Sequence, residues 1–337
     1  MRSESLEVRE LLKLPYLRNV PRDGRIVPLI TWYEPTAADW HLYMPVKPGE
    51  LGRMAGGEPI SGSYISSGAA DTTGDFEFAL GTLVVQHLSF IEVLSELSKL
   101  ENDVHRCAAI LEKYHLLWTT RMGGTRSASL LIQSELEYLM FLLRSLYDLL
   151  QGMIRALSAK LVYLDGTTRL VLKALPASFR EVAMSKDGPR SVDEIEDRWN
   201  MPRPLAAWYS EEAAFFRLLR TLRDGIAHRG GNPPTVFETE WGFAVAPMSA
   251  PWTGVSALLP GERRKNDLAS LRGLFVEFIA RGIGTTARFA GALRGLVSLP
   301  DPILHDVKLF VRSPFGHRLV SLEEMRLQPW EERGDGN

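Results

Sequence analysis

The stretch "LRTLRDGIAHRGGNPP", residues 219 to 234, gathers Arg223, Asp224 and His228 where a helix must stop. Paired glycines followed by paired prolines end a helix firmly. Imidazole, with an unperturbed pKa of about 6.5, carries a proton near neutrality. Guanidinium stays charged and offers a planar fork to two oxygens of one phosphate. These residue types admit two readings. One is a nuclease-type site. The other is an ordinary helix end, where a cationic histidine interacts well with the helix dipole and Arg223 is a surface arginine.

Arginine followed five residues later by histidine is a weak signal, because Arg312 and His317 in "RSPFGH" share the spacing. Context separates the two pairs. Phe215, Leu218, Leu219, Leu222 and Ile226 give the first pair an apolar-faced helix, starting at Ser210 as N-cap with Glu211 and Glu212 in the first turn. The second pair lies in a strand-turn region broken by Pro and Gly.

Other chemistries find no support in the sequence. There is no Walker loop, no Gly-rich dinucleotide fingerprint, no His-Glu-x-x-His and no Gly-x-Ser-x-Gly elbow. Cys107 is the only cysteine, which excludes cysteine-rich zinc sites and intramolecular disulfides and fits a reducing cytoplasm. No cofactor and no metal are expected. The net charge of −2 gives no whole-molecule attraction to nucleic acid, so a polyanion site must be a local patch. One such patch is "GERRKND" with Arg263, Arg264 and Lys265, in a segment with seven basic residues against three acids over 253–300. It reads as a phosphate-tracking surface or a solvated loop.

The elements that position these residues follow from periodicity. From about Leu83, the series Phe90, Leu94, Leu97, Val104, Ala108, Leu111 and Trp118 draws an apolar seam along a long helix. "RMGGTRSAS" breaks it, and a second helix runs from about Leu130 to Leu161, giving an antiparallel hairpin. On that second helix Glu137, Arg144, Asp148, Gln151 and Arg155 share one narrow stripe. The stripe is either solvated, with Arg144 and Asp148 paired at i,i+4, or the wall of a cleft. "LPASFREVAM" and "SVDEIEDRW" read as short helices and "TVFETEWGFAVAP" as a β-hairpin. A fourth long helix runs from near Asn266 to about Val297, with Gly284, Ala287, Gly291 and Gly295 as a surface for close packing. "RIVPLITWY", "WHLYMP" and "HDVKLFVR" read as strands, and the Gly/Ser-rich run between Lys47 and Asp75 as a loop. The eight tryptophans read as core and interface filler. Charges scattered through residues 1–19 argue against a signal peptide, and no apolar run approaches the roughly 20 residues of a membrane span.

With Arg223-Asp224-Gly225-Ile226-Ala227-His228 on a helix end and "SELEYLMFLLRSLYDLL" in the hairpin before it, the chain resembles the HEPN superfamily over roughly residues 80–300. With the strand readings added to the helical ones, the expected fold is mainly α: an HEPN-like helical bundle with a small N-terminal β-containing element and short β-hairpin insertions. The chain divides into 1–76 (β element and loop), 77–300 (helical domain with insertions) and 301–337 (strand and tail), and the resemblance leaves the first and last parts outside. It further implies a metal-independent endoribonuclease acting through ribose 2′-hydroxyl attack, with a role as toxin or defence effector. Active members need a proton carrier, His228, and a cation at the developing phosphorane, Arg223. Asp224 would orient either one, and Arg229 would add a phosphate contact. Residues five apart on an ideal helix differ by about 140°, so Arg223 and His228 do not share a face. A frayed end or a long arginine closes that gap, and so does a homodimer that faces two motif copies across a two-fold axis. The implied partners are RNA, a second copy and an antitoxin or regulatory protein, with no membrane. The alternative reading is a non-catalytic HEPN-like module that binds RNA or a partner protein.

Overall fold

The computed structural model describes residues 4–7, 24–26, 31–47, 50–55, 57–120, 127–158, 160, 172–228, 234–246, 255, 264–265, 268–295, 299–304 and 306–331. The described chain is mainly helical, with two small sheets. Among the described residues the helices are α1 (Ala79–His87), α2 (Ile91–Thr119), α3 (Ser127–Ser158), α4 (Phe179–Ala183), α5 (Val192–Trp199), α6 (Arg203–His228), α7 (Leu271–Arg294), α8 (His317–Val320) and α9 (Leu322–Leu327).

Helices α2 and α3 form the antiparallel hairpin that their periodicity predicts. Cross-links fix its register: Lys113 pairs with Glu135 at 2.9 Å, and Ser145 Oγ donates to Asp103 Oδ2 at 2.9 Å. At the far end Lys160 meets Glu92 at 3.7 Å. The first predicted helix is in fact two helices, broken at Leu88–Phe90. The carbonyls freed at the end of α1 have partners there. Arg25 Nη1 donates to His87 O at 3.2 Å, Ile26 N to Ser89 O at 3.0 Å, and Ile303 N to Gln86 O at 2.8 Å.

Helix α6 runs against α3, α4, α5 and α7 and closes the bundle. It begins seven residues before the predicted N-cap. Pro202 precedes it and Pro204 sits in its first turn, where a missing N–H costs nothing because no intrahelical acceptor exists there. Ser210 is therefore interior, and its Oγ donates to Arg190 O at 3.0 Å. Glu212, expected as a first-turn acid, is buried. It accepts from Tyr147 Oη at 2.8 Å and from Arg288 Nε at 2.6 Å. Around it Tyr147, Phe179, Trp208, Tyr209, Phe216 and Phe289 form a contiguous aromatic core. The short helix α5 carries a complete capping box between Ser191 and Glu194.

The fourth long helix, α7, starts at Leu271 rather than near Asn266. Ser270 is its N-cap, accepting from Gly273 N at 3.0 Å. The residues ahead of it form strand β10 (Leu268–Ser270), which joins β9 (Arg264–Lys265) and the predicted hairpin β7 (Val236–Thr239) and β8 (Gly242–Val245) in the order β7-β8-β10-β9. Of the predicted glycine surface on α7, Gly295 meets α6, where an added Cβ would lie 3.5 Å from Pro204 Cβ, but the surface does not extend to Gly291. A Cβ on Gly291 would touch nothing within 4 Å, whereas one on Gly282 would lie 2.5 Å from Leu143 Cδ2 of α3.

The second sheet has seven strands. It comprises β1 (Glu4–Glu7), β2 (Thr31–Glu34), β3 (Asp39–Lys47), β4 (Glu50–Ala55), β5 (Gly62–Ser66), β6 (Phe76–Glu77) and β11 (Lys308–Arg312), in the order β1-β4-β3-β2-β5-β11-β6. All pairings are antiparallel except β2 with β5. Strands β4 and β5 lie inside the run expected to be loop. Their apolar residues Leu51, Met54, Tyr64 and Ile65 do not alternate and stand among glycine and serine, residues that local propensity assigns to turns. The strand predicted near the C-terminus, β11, sits between β5 and β6, so it completes the N-terminal sheet.

Candidate active site

The last turns of α6 meet the middle of α3 and the start of α4. There Arg144, Ser178, Arg180, Arg220, Arg223 and Asp224 line a cavity of about 420 Å³. Each element brings its part for a local reason. The apolar face of α6, with Leu219 and Leu222 fully buried, turns Arg220, Arg223 and Asp224 toward α3. Arg144 leaves α3 over the ring of Phe216, 5.4 Å from its centroid. Ser178 caps α4, accepting from Glu181 N, and so places Arg180 at the rim.

Four guanidinium groups thus face one lining carboxylate. Asp224 is shared: Oδ2 accepts from Arg220 Nε at 3.2 Å and Oδ1 from Arg223 Nη2 at 2.8 Å. Arg144 has its own partner, Asp148, in the predicted i,i+4 ion pair. Arg180 pairs with no carboxylate among the described residues. The crowding has an electrostatic signature. Burial and then the charge of Arg223 lower the Arg144 pKa, and Asp224 opposes the shift. The Nε atoms of Arg144 and Arg223 are buried with no hydrogen-bond partner among the described residues. An oxyanion entering this cavity would meet a positive field already organised before it arrives.

The polar stripe on α3 splits along its length. Arg144 is a cavity wall and Asp148 its partner, while Gln151 is fully buried, donating to Pro176 O at 2.7 Å and accepting from Tyr209 Oη. His228 closes α6, but its side chain lies outside the described residues, as do Arg229 and Arg263. Arg264 and Lys265 form β9, paired with β10, and their side chains also lie outside the described residues. The cavity therefore unites Arg144, Arg223 and Asp224 from the sequence reading. It adds Ser178, Arg180 and Arg220, which that reading missed. Arg220 was detectable, since it stands four residues before Asp224 on the same helix face. Arg180 had no local signal.

The second arginine–histidine pair has a structural role. Arg312 is buried among carboxylates, with Nη2 2.9 Å from Asp75 Oδ2 and Nη1 2.7 Å from Glu58 Oε1. His317 lies half-exposed beside Glu112. A third group, Glu211, Glu212, Glu277, Arg281, Arg288 and Arg326, lines a cavity of about 330 Å³ and neutralises itself through internal ion pairs. Among the described residues no set of three His, Cys, Asp or Glu side chains can hold a metal ion, and no helix is long and apolar enough to cross a membrane. Comparison of the chain with protein-family models, with curated proteins and with solved structures finds no match.

Proposed function

We propose that the chain is a metal-independent endoribonuclease of the HEPN type, its helices forming an HEPN-like bundle and its cleavage site lying at the C-terminal end of α6. One observation carries this reading. Arginines from three separate elements converge on the helix end that also bears the Arg-x4-His motif. In the reaction the ribose 2′-oxygen attacks the adjacent phosphorus and loses its proton. The bond from phosphorus to the 5′-oxygen breaks, and that oxygen takes up a proton. The products are a 2′,3′-cyclic phosphate and a 5′-hydroxyl. Arg223, with Arg144 and Arg220 beside it, would hold the non-bridging oxygens as charge builds on them. His228 would carry the proton, and Asp224 would keep Arg223 extended toward the phosphate.

A homodimer supplies the missing half of such a site, because Arg223 and His228 point about 140° apart on an ideal helix. Its support is an apolar stripe on α3. Leu130, Leu131, Tyr138 and Phe141 are 65%, 54%, 40% and 44% exposed. Leu130, Phe141 and Arg144 fall within about 60° of one another around the helix, so the stripe runs into the cavity wall. Sedimentation at micromolar concentration is expected to give twice the chain mass, and a monomer would remove the composite site.

The pairing of Asp224 with both Arg220 and Arg223 favours a second reading, an RNA-binding module without chemistry, since those guanidinium groups are already partly neutralised. Labelled RNA incubated with wild type and with His228→Ala in EDTA separates the two. The enzyme reading expects cyclic-phosphate ends from wild type and a rate at least about 100-fold lower for the variant. Equal cleavage by both, or none by either across several RNAs, leaves the binding module.

A further inference from the structure

A second basic cavity adjoins the first. It has a volume of about 570 Å³, and its cations are Arg180, Lys186, Arg190 and Arg198 against one acid, Glu181. That acid is engaged elsewhere, accepting from Ser178 Oγ at 2.9 Å. None of the four cations pairs with a carboxylate among the described residues. Arginines nearby do: Arg203 binds Asp193 and Glu196, and Arg288 binds Glu212. Like charges gathered without counter-charge repel one another, and an anionic occupant would relieve that repulsion.

The cations are also held in place. Arg190 and Arg198 both lie over the buried ring of Trp199, at 5.5 and 5.1 Å from its centroid. The backbone of Arg190 is fixed on both sides, with its N donating to Ala183 O at 2.9 Å and its O accepting from Ser210 of α6 at 3.0 Å. Its Nε is buried with no hydrogen-bond partner among the described residues. Two guanidinium groups anchored on one indole need little ordering to receive an oxyanion.

Arg180 lines both cavities, so the positive surface is continuous from one to the other. A lone small anion would fill one cavity, whereas a chain with a charge at every repeat fills both. We propose that the second cavity is a phosphate subsite for single-stranded RNA, holding the backbone away from the scissile link while Arg180 bridges the two. This rests on the reading of the first cavity as an RNA site, and it sets a minimum length for a tightly bound substrate.

The test uses 2′-O-methyl RNA, which lacks the attacking hydroxyl and so reports binding whether or not the protein cleaves. A fluorescent single strand of about twelve nucleotides and a dinucleotide are titrated by anisotropy against the full chain. Arg190→Gln with Arg198→Gln is expected to weaken the long strand about tenfold and to flatten its log-affinity against log-salt slope by about 1.4, at roughly 0.7 per lost phosphate contact. Dinucleotide affinity is expected to stay unchanged. Lys186→Gln alters an exposed residue in the bend after α4 and serves as a second variant, with an expected loss of about threefold. Unchanged long-strand binding in both variants, equal loss for long and short ligands, or no binding by wild type overturns the subsite. Length-dependent loss without any cleavage of ordinary RNA retains the subsite and removes the nuclease reading.

Discussion

Among the described residues Asp224 is the single carboxylate lining the arginine cavity, and it serves Arg220 and Arg223 at once. Replacing it with asparagine removes the shared carboxylate from the four clustered guanidinium groups. Asp224→Asn is expected to lose about 1–2 kcal/mol at low salt, and added phosphate should restore more of it than chloride at matched ionic strength. Urea denaturation in the two salts checks this, and equal recovery by both would show that the cavity does not select phosphate. A second residue-scale effect concerns Glu101 on α2, whose carboxyl burial pushes up to about 7. Below about pH 4.5 the group is protonated in both the folded and unfolded chain, so it has no effect. As pH rises toward 7 the unfolded chain gives up the proton while the fold retains it, and stability falls. Glu101→Gln should therefore match wild type near pH 4 and exceed it by about 2 kcal/mol near pH 8, again read by denaturation. Of the cavity, Arg223, Asp224 and Arg144 were legible in the sequence because their helices announce which face is polar. Arg180 was not, since its place depends on where the chain returns after α3.

At the scale of elements, long periodic segments were legible and their ends were not. The α2–α3 hairpin, α6 and the β7–β8 hairpin follow directly from apolar spacing. Misread boundaries have specific causes: a helix that accepts proline in its first turn at Pro204, strands disguised by glycine at Gly52 and Gly62, and a break at Ser89 imposed by hydrogen bonds from Arg25, Ile26 and Ile303. Glycine spacing on α7 misled at Gly291 for a related reason, because close approach depends on the neighbour rather than on the repeat. Gly291→Ala faces open space and should stabilise by about 0.5–1 kcal/mol through helix propensity alone. Gly282→Val must displace Leu143 in the core and should cost about 2–3 kcal/mol. Thermal denaturation of both variants checks the sign of each, and the same sign for both would refute the assigned α3–α7 contact.

Across the whole molecule, the two ends of the chain are joined at β11. Leu309 accepts from Phe78 N at 2.9 Å and donates to Thr82 Oγ1 of α1 at 2.9 Å, while the strand itself pairs with β5 and β6. At the end of this ladder, in register with Gly62, Arg312 stacks 4.8 Å from the Trp40 ring centroid and binds Asp75, which also accepts from Tyr64 Oη at 2.7 Å. The Arg312 and Asp75 side chains are only 7% and 3% exposed. Removing the cation strands a buried carboxylate, so Arg312→Ala is expected to cost about 3–5 kcal/mol, and Arg312→Met with Asp75→Asn to recover part of that loss. Because β11 is bonded to β5 on one edge and to β6 and α1 on the other, the loss should spread through the whole fold. Fluorescence from the tryptophans of the sheet and far-ultraviolet dichroism from the helices should shift to lower denaturant together. A sheet transition that moves alone would mean that β11 does not transmit stability between them.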